Sequence, residues 1–332
     1  MLHPGTGHGA ALLLLAAGCA AASIPRTVSD DPSLSSLEVG HVRLHFRTSG
    51  DPNNPTVLVL HGGPGGDHRS LLPLEALADQ YHVVFYDQRG SGLSERVGED
   101  RLKLADFYAE LDAVVDHFSR GRTVSLIGHS WGAMLASGYV GQHPEKIDHV
   151  VLAEPGMLSV ETGRILMAAT NRMRPAVSFG LIWAGTRVWF ESLDVDGLDE
   201  EARHDYRANA LMTARVAGHP MAGYYCGRDL STARMETWRF GARANAALFR
   251  EGFDKEGDPR VEFITGVEQF RRKVLFLAGS CNTVIGEAQQ RRHMRYFPNA
   301  ELEVIEGAGH TMFGEKPAES LAAVRRYLGA PN

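Results

Sequence analysis

The apolar run Thr123–Ile127 leads through Gly128-His129-Ser130-Trp131-Gly132 into the helix-compatible stretch Ala133–Ser137. A strand that turns sharply into a helix at one serine constrains the fold more than any other segment of this chain. The backbone at such a turn is crowded, and small residues two before and two after the serine leave space that side chains would fill. The hydroxyl stays exposed at the apex, which makes Ser130 the candidate nucleophile.

The rest of the chain supplies a sheet for that turn. Apolar runs of strand length recur at Leu37–Phe46, Thr56–Leu60, His82–Tyr86, Thr123–Ile127, His149–Ala153, Val274–Ala278 and Ala300–Ile305. Helical patterns such as Leu102–Phe118 and Ala318–Leu328 lie between and after them. Alternating strands and helices predict an α/β fold with a mostly parallel sheet covered on both faces. With 332 residues and 44% hydrophobic content, a large core with one inserted subdomain is within reach. The rhythm breaks between Gly156 and about Arg271, where Trp183, Trp189, Tyr206, Tyr224, Tyr225 and Trp238 sit among Arg and Met. This segment is expected to be a helical cap over the strand ends, where ligands bind in open α/β sheets.

Several partners are not expected. A net charge of -6 with scattered Lys and Arg offers no basic stripe for nucleic acid. No C-x-x-C or H-E-x-x-H spacing marks a metal site, and no cofactor is implied. The run Ala10–Ala17 is too short to span a bilayer, which takes about 20 residues, and reads as the core of an export signal. Leu15-Ala16-Ala17-Gly18-Cys19 resembles a bacterial lipobox, although Ala16 replaces the usual larger residue and no Lys or Arg precedes it. Export is expected, with Cys19 as the lipidation site and a bacterial membrane as the anchor; a plain cleaved signal or a misplaced start codon is the alternative. Cys226 and Cys281 would remain, too few for a disulfide framework. The expected organisation is a signal and lipobox segment at 1–19, a tether at 20–36, a core at 37–155 and 271–330, and a cap at 156–270.

Two further motifs surround Ser130. His61-Gly62-Gly63-Pro64-Gly65-Gly66 follows the strand Thr56–Leu60, where an elbow of this kind takes its second oxyanion donor. Gly63 and Trp131 are the candidate backbone donors, each worth roughly 3 kcal/mol to a developing oxyanion. A phosphate cradle is excluded because no Gly-Lys-Ser/Thr follows. Asp87-Gln88-Arg89-Gly90-Ser91-Gly92-Leu93-Ser94 caps the next strand and is assigned a structural role. His310, after Gly307-Ala308-Gly309 late in the chain, is the candidate general base, in the order serine, acid, histidine.

Together these motifs resemble the α/β-hydrolase superfamily and, within it, the proline iminopeptidase (prolyl aminopeptidase) group, from about Leu37 to Leu328. The resemblance implies an α/β-hydrolase fold with the cap inserted after the sixth strand. It also implies a serine hydrolase working through an acyl-enzyme on a small molecule or short peptide with an N-terminal proline. The family's acid lies in a Gly-x-x-Asp turn after the seventh strand, where this chain has Gly279-Ser280-Cys281-Asn282. Asn282 stands at the acid position and either orients His310 or yields to another acid. Glu154, in Ala153-Glu154-Pro155-Gly156 after the sixth strand, is the alternative acid, or else a cap-hinge or substrate-contacting carboxylate.

The family's cap glutamates, which hold the substrate ammonium, are matched at one place by Asn245, so Asn245 is a candidate substrate contact with the wrong charge. Cap residues Glu236 and Asp229 are possible replacements. An ester or lactone hydrolase, which needs no ammonium pocket, is the second reading. A non-catalytic binding protein that kept the pocket is the third.

Overall fold

The structure is a computed structural model that describes residues 24–172, 179–195 and 199–329. The expected signal and lipobox segment, with Cys19, lies outside the described residues. The chain runs β1 (Ser36–Val39), β2 (Val42–Ser49), β3 (Thr56–Leu60), β4 (His82–Tyr86), α1 (Leu104–Ser119), β5 (Val124–His129), α2 (Trp131–Gln142) and β6 (Ile147–Ala153). A helical insert follows, with α3 (Val160–Arg172), α4 (Phe179–Glu191), α5 (Ala202–Met212) and α6 (Ala242–Gly252). The core resumes with β7 (Val274–Gly279), α7 (Glu287–Met294), β8 (Ala300–Ile305), α8 (Met312–Glu315) and α9 (Pro317–Leu328).

The strands form one eight-stranded sheet in the order β1-β2-β4-β3-β5-β6-β7-β8. Only β2 pairs antiparallel with its neighbours; β4 to β8 are parallel. Alternate residues point to opposite faces, and in β3, β4, β5 and β7 both faces are buried, which is why these strands read as continuous apolar runs. Leu58, Leu60, Val84 and Tyr86 pack with Phe107, Leu111 and Val114 of α1 and Leu135 and Tyr139 of α2. Val57, Val59, Val83 and Phe85 pack on the other side with Leu71, Leu74, Ala323 and Val324.

Two expectations are corrected. Leu37–Phe46 is a hairpin and not one strand: Gly40 and His41 both take positive φ, 53° and 64°, and Val39 faces Val42. Positive φ at both central residues is what a tight two-residue turn requires. The expected tether also does not hang free throughout, since Thr27 and Val28 are buried and the Val28 N–H donates to Leu93 O at 2.8 Å.

Candidate active site

Ser130 sits between β5 and α2 with φ 55° and ψ -118°, a conformation that costs a non-glycine residue of order 1–3 kcal/mol. The surroundings hold it there. The Ser130 N–H donates to Ala153 O at 2.8 Å, and Ser130 O accepts the Ala133 N–H at 3.0 Å. A Cβ on Gly132 would fall on the Leu60 carbonyl, so only glycine lets the elbow lie this close to β3. Trp131 opens α2, and its N–H belongs to the first turn, where backbone donors have no intrahelical acceptor.

The His61–Gly66 loop faces the elbow. Gly63 has φ 126°, accessible to glycine alone, and precedes a cis peptide to Pro64. The loop is held from outside by Gln88. Its Nε2 donates to His61 O at 3.0 Å, its backbone N–H donates to His61 Nε2 at 3.0 Å, and its Oε1 accepts the Trp131 indole N–H at 2.8 Å. Gln88 thus ties together the two segments that carry the candidate oxyanion donors, a role the sequence reading assigned only generally to its motif.

His310 follows β8. Its backbone N–H donates to Tyr224 O at 2.9 Å, and its Nδ1 lies 2.7 Å from Glu154 Oε2. Nδ1 holds the proton toward that carboxylate, leaving Nε2 as the acceptor a base needs. Burial pushes the imidazole pKa down to about 4, with Glu315 opposing the shift. The His129 ring lies tilted with its centroid 4.6 Å from that of His310, and His129 Nε2 lies 2.7 Å from His310 O, so that nitrogen carries its proton. Burial holds His129 neutral as well, at about 3.

Glu154 is fully buried with φ 46°, a second strained non-glycine residue at this site. Its N–H donates to Leu277 O at 3.0 Å, continuing the β6–β7 pairing by one residue. Gly279 N–H donates to Oε1 at 2.7 Å, and Asn282 Nδ2 donates to Oε2 at 2.7 Å. Burial drives the carboxyl pKa up, while these two donors pull it back.

Asn282 makes no recorded contact with His310. Its Oδ1 accepts the Val284 and Ile285 N–H groups at 2.9 and 3.0 Å, and its amide N–H groups face Glu154. The acid-position expectation is therefore corrected: Asn282 supports a carboxylate on the neighbouring strand end. Glu154 does not line the cavity, which removes its substrate-contact reading.

Ser130, His310, Gly63 and Trp131 border one cavity of about 310 Å³. Its wall is mostly apolar, with Met134, Met157, Met212, Met221, Phe240 and Phe263 prominent. Asn245 is on this wall, but its Nδ2 donates to Pro64 O at 2.7 Å, so the amide secures the glycine-rich loop. Glu236 and Asp229 are exposed and off the wall. Among the described residues, the two carboxylates on the wall are Asp67 and Glu251. Asp67 accepts the Arg69, Trp238 and Arg239 N–H groups, and the exposed Glu251 accepts the Leu104 N–H at 2.7 Å.

The cap is fastened to this site covalently and by charge. Cys226 and Cys281 form a disulfide that joins the insert to the residue preceding Asn282. Arg239, almost wholly buried, binds Asp199 at 2.6 Å and Asp205 at 2.8 Å. Neither pairing was legible in the sequence, where the partners lie 55 and 34 to 40 residues apart. Among the described residues, His45, His68 and Asp87 form the one cluster with metal-ligand chemistry. Both histidines already address Asp87, at 2.9 and 2.7 Å, in line with a structural role for that motif.

The model of the alpha/beta hydrolase fold family matches residues 55–179. The chain has the α/β-hydrolase fold. A proline iminopeptidase of Heyndrickxia coagulans is 39% identical over 120 residues, which are 36% of this chain and 42% of the relative. The chain spans about two fifths of the length of the curated relatives it matches first. The same hydrolase fold appears in the crystal structure of a Mycobacterium smegmatis proline iminopeptidase, with a TM-score of 0.60 at 21% identity, covering 89% of this chain and 97% of that one. It appears also in an N-acyl homoserine lactone degrading enzyme, with a TM-score of 0.61 at 18% identity, covering 88% of this chain and 100% of the other.

Proposed function

We propose that this hydrolase-fold protein is a serine hydrolase that cleaves esters with apolar acyl groups through an acyl-enzyme. Ser130 Oγ attacks the carbonyl carbon as its proton passes to His310 Nε2, and Glu154 holds the resulting imidazolium through Nδ1. The Gly63 N–H of the glycine-rich loop and the Trp131 N–H at the positive end of α2 receive the oxyanion. Collapse breaks the ester C–O bond, and the leaving alkoxide takes the proton from His310 Nε2. Water then attacks the acyl carbon with His310 again as base, releasing the acid and restoring Ser130.

The observation that carries the ester reading is the cavity wall, which is apolar and whose carboxylates are either committed to backbone donors or at the exposed rim. Asp67, the buried carboxylate of that wall, already has its oxygens taken up by three backbone N–H groups, so an N-terminal ammonium would lose its hydration there without a free carboxylate to receive it, a penalty of several kcal/mol. The aminopeptidase reading rests on the likeness to proline iminopeptidases. Hydrolysis of p-nitrophenyl butyrate and octanoate beside prolyl-β-naphthylamide separates the two. Ester turnover at least about a hundredfold faster in kcat/KM supports the proposal, and a preference for the prolyl amide overturns it.

A further inference from the structure

Helix α4 turns its apolar residues the wrong way for a helix that only packs. Phe179, Ile182, Trp183, Trp189 and Phe190 are all at least half exposed, with Phe179 at 82% and Trp183 at 64%. At about 100° per residue these positions fall within one arc of about 120°, and the buried Val188 lies opposite them. Leu193 extends the stripe just past the helix. The helix is an amphipathic element with its apolar face toward solvent, and such a patch marks a binding surface.

The position of the chain's beginning says what covers it. Arg239 Nη1 donates to Pro25 O at 3.3 Å while the same guanidinium holds Asp205 of α5. Helix α5 in turn packs against α4. The first described residues therefore leave the body beside α5, and 23 residues precede them, including the run Ala10–Ala17 and Cys19. Cys19 lies six residues before Pro25, a reach of at most about 20 Å. A lipid or apolar segment attached there can enter a bilayer only with this side of the cap close to it. At 13 residues α4 is too short to span the bilayer and has the aromatic face of a helix lying in the interface.

We infer that the exposed face of α4 docks on a phospholipid bilayer, as a second attachment beside the N-terminal segment. One weak anchor gives marginal, reversible binding, whereas two together hold a protein at the surface. The inference stands independently of the ester reading, since it concerns where the cap sits and not what Ser130 cleaves.

The chain's four tryptophans make the test specific. Trp183 and Trp189 are on this face, Trp131 is buried, Trp238 is half-buried, and none precedes Ile24. The full chain is bound to phosphatidylcholine–phosphatidylglycerol vesicles with and without brominated acyl chains, and its tryptophan emission is read. Bromolipid is expected to quench at least about a third of the emission, and Trp183→Phe/Trp189→Phe is expected to stay bound while losing that quenching. Ile182→Glu/Phe190→Glu is expected to weaken vesicle binding about tenfold or more, with fluorophosphonate labelling of Ser130 unchanged as the check on folding. Vesicle-bound protein without quenching overturns the inference and leaves the N-terminal segment as the only attachment. Absence of vesicle binding, or a dimer whose dissociation uncovers the patch, overturns it as well.

Discussion

His310 Nδ1 meets Glu154 Oε2 at 2.7 Å, so the carboxylate that faces the histidine comes from the end of β6. The place after β7 holds Asn282, which donates to that same oxygen at 2.7 Å. β6 and β7 are parallel neighbours, with Ala153 opposite Leu277, and a carboxylate on either end can reach one histidine.

Exchange of the two roles is testable. Glu154→Gln is expected to lower kcat by roughly 10³–10⁴-fold, as removal of a triad acid does in a serine protease, with the fold retained. Asn282→Asp would restore the family residue, yet it sets a second carboxylate within hydrogen-bond distance of Glu154. Two such groups cannot both ionise, so kcat/KM is expected to fall about tenfold or more. Steady-state ester kinetics check both, and a gain on Asn282→Asp would refute the assignment of Glu154.

The pH profile of the proposed mechanism follows from burial of its base. In that mechanism His310 must be neutral to accept the serine proton, and desolvation holds its pKa down to about 4. Glu154 at Nδ1 and nearby Glu315 favour the charged ring, while the adjacent His129 does not. Activity is thus lost as pH falls through a value below 6.5, the ordinary histidine range. The kcat/KM at pH 5.5 is expected within about twofold of that at pH 7, and an acid limb at 6.5 or above would contradict the burial argument.

The Cys226–Cys281 bond joins the cap to the loop that carries Asn282. Loss of a native disulfide costs typically about 2–5 kcal/mol. Cys226→Ser/Cys281→Ser is expected to lower Tm by several degrees and to reduce kcat more than it raises KM. Thermal unfolding with and without reductant checks this, and an unchanged Tm would show that the link adds nothing.

Arg239, in the loop before α6, joins the first described residues, α5 and the residues just before α5 through Pro25, Asp205 and Asp199. Arg239→Met leaves buried Asp205 with Arg96 as its remaining cation, and breaking a buried pair costs about 3–5 kcal/mol. Urea unfolding should register that loss, and limited proteolysis should cut first in the insert. Retained stability would contradict the pairing.

The fold was legible because strands buried on both faces must be apolar throughout. Thr56–Leu60 and His82–Tyr86 match in extent for that reason, while the edge strand Ala300–Ile305, with Glu301 and Glu303 half-buried, was legible from its alternation instead. The β1–β2 hairpin was hidden, because Gly40-His41 turns the chain inside an otherwise strand-like run. The elbow and the glycine-rich loop were legible because their backbone geometry dictates residue type. The partner of His310 was legible only as a choice between Asn282 and Glu154, since Glu154 reaches the ring through the β6–β7 register, a tertiary relation with no local signature. The outward face of α4 was not legible either: Trp183 and Trp189 were read with the other aromatics as part of a cap over the strand ends, and both point to solvent.

The most direct measurement is intact-mass labelling of the full chain with a fluorophosphonate, beside Ser130→Ala, His310→Ala and Glu154→Gln. A triad of Ser130, His310 and Glu154 predicts one adduct on the native protein, none on Ser130→Ala, and labelling slowed by orders of magnitude on the other two. Labelling that survives Ser130→Ala, or a native chain that takes no adduct, would contradict it.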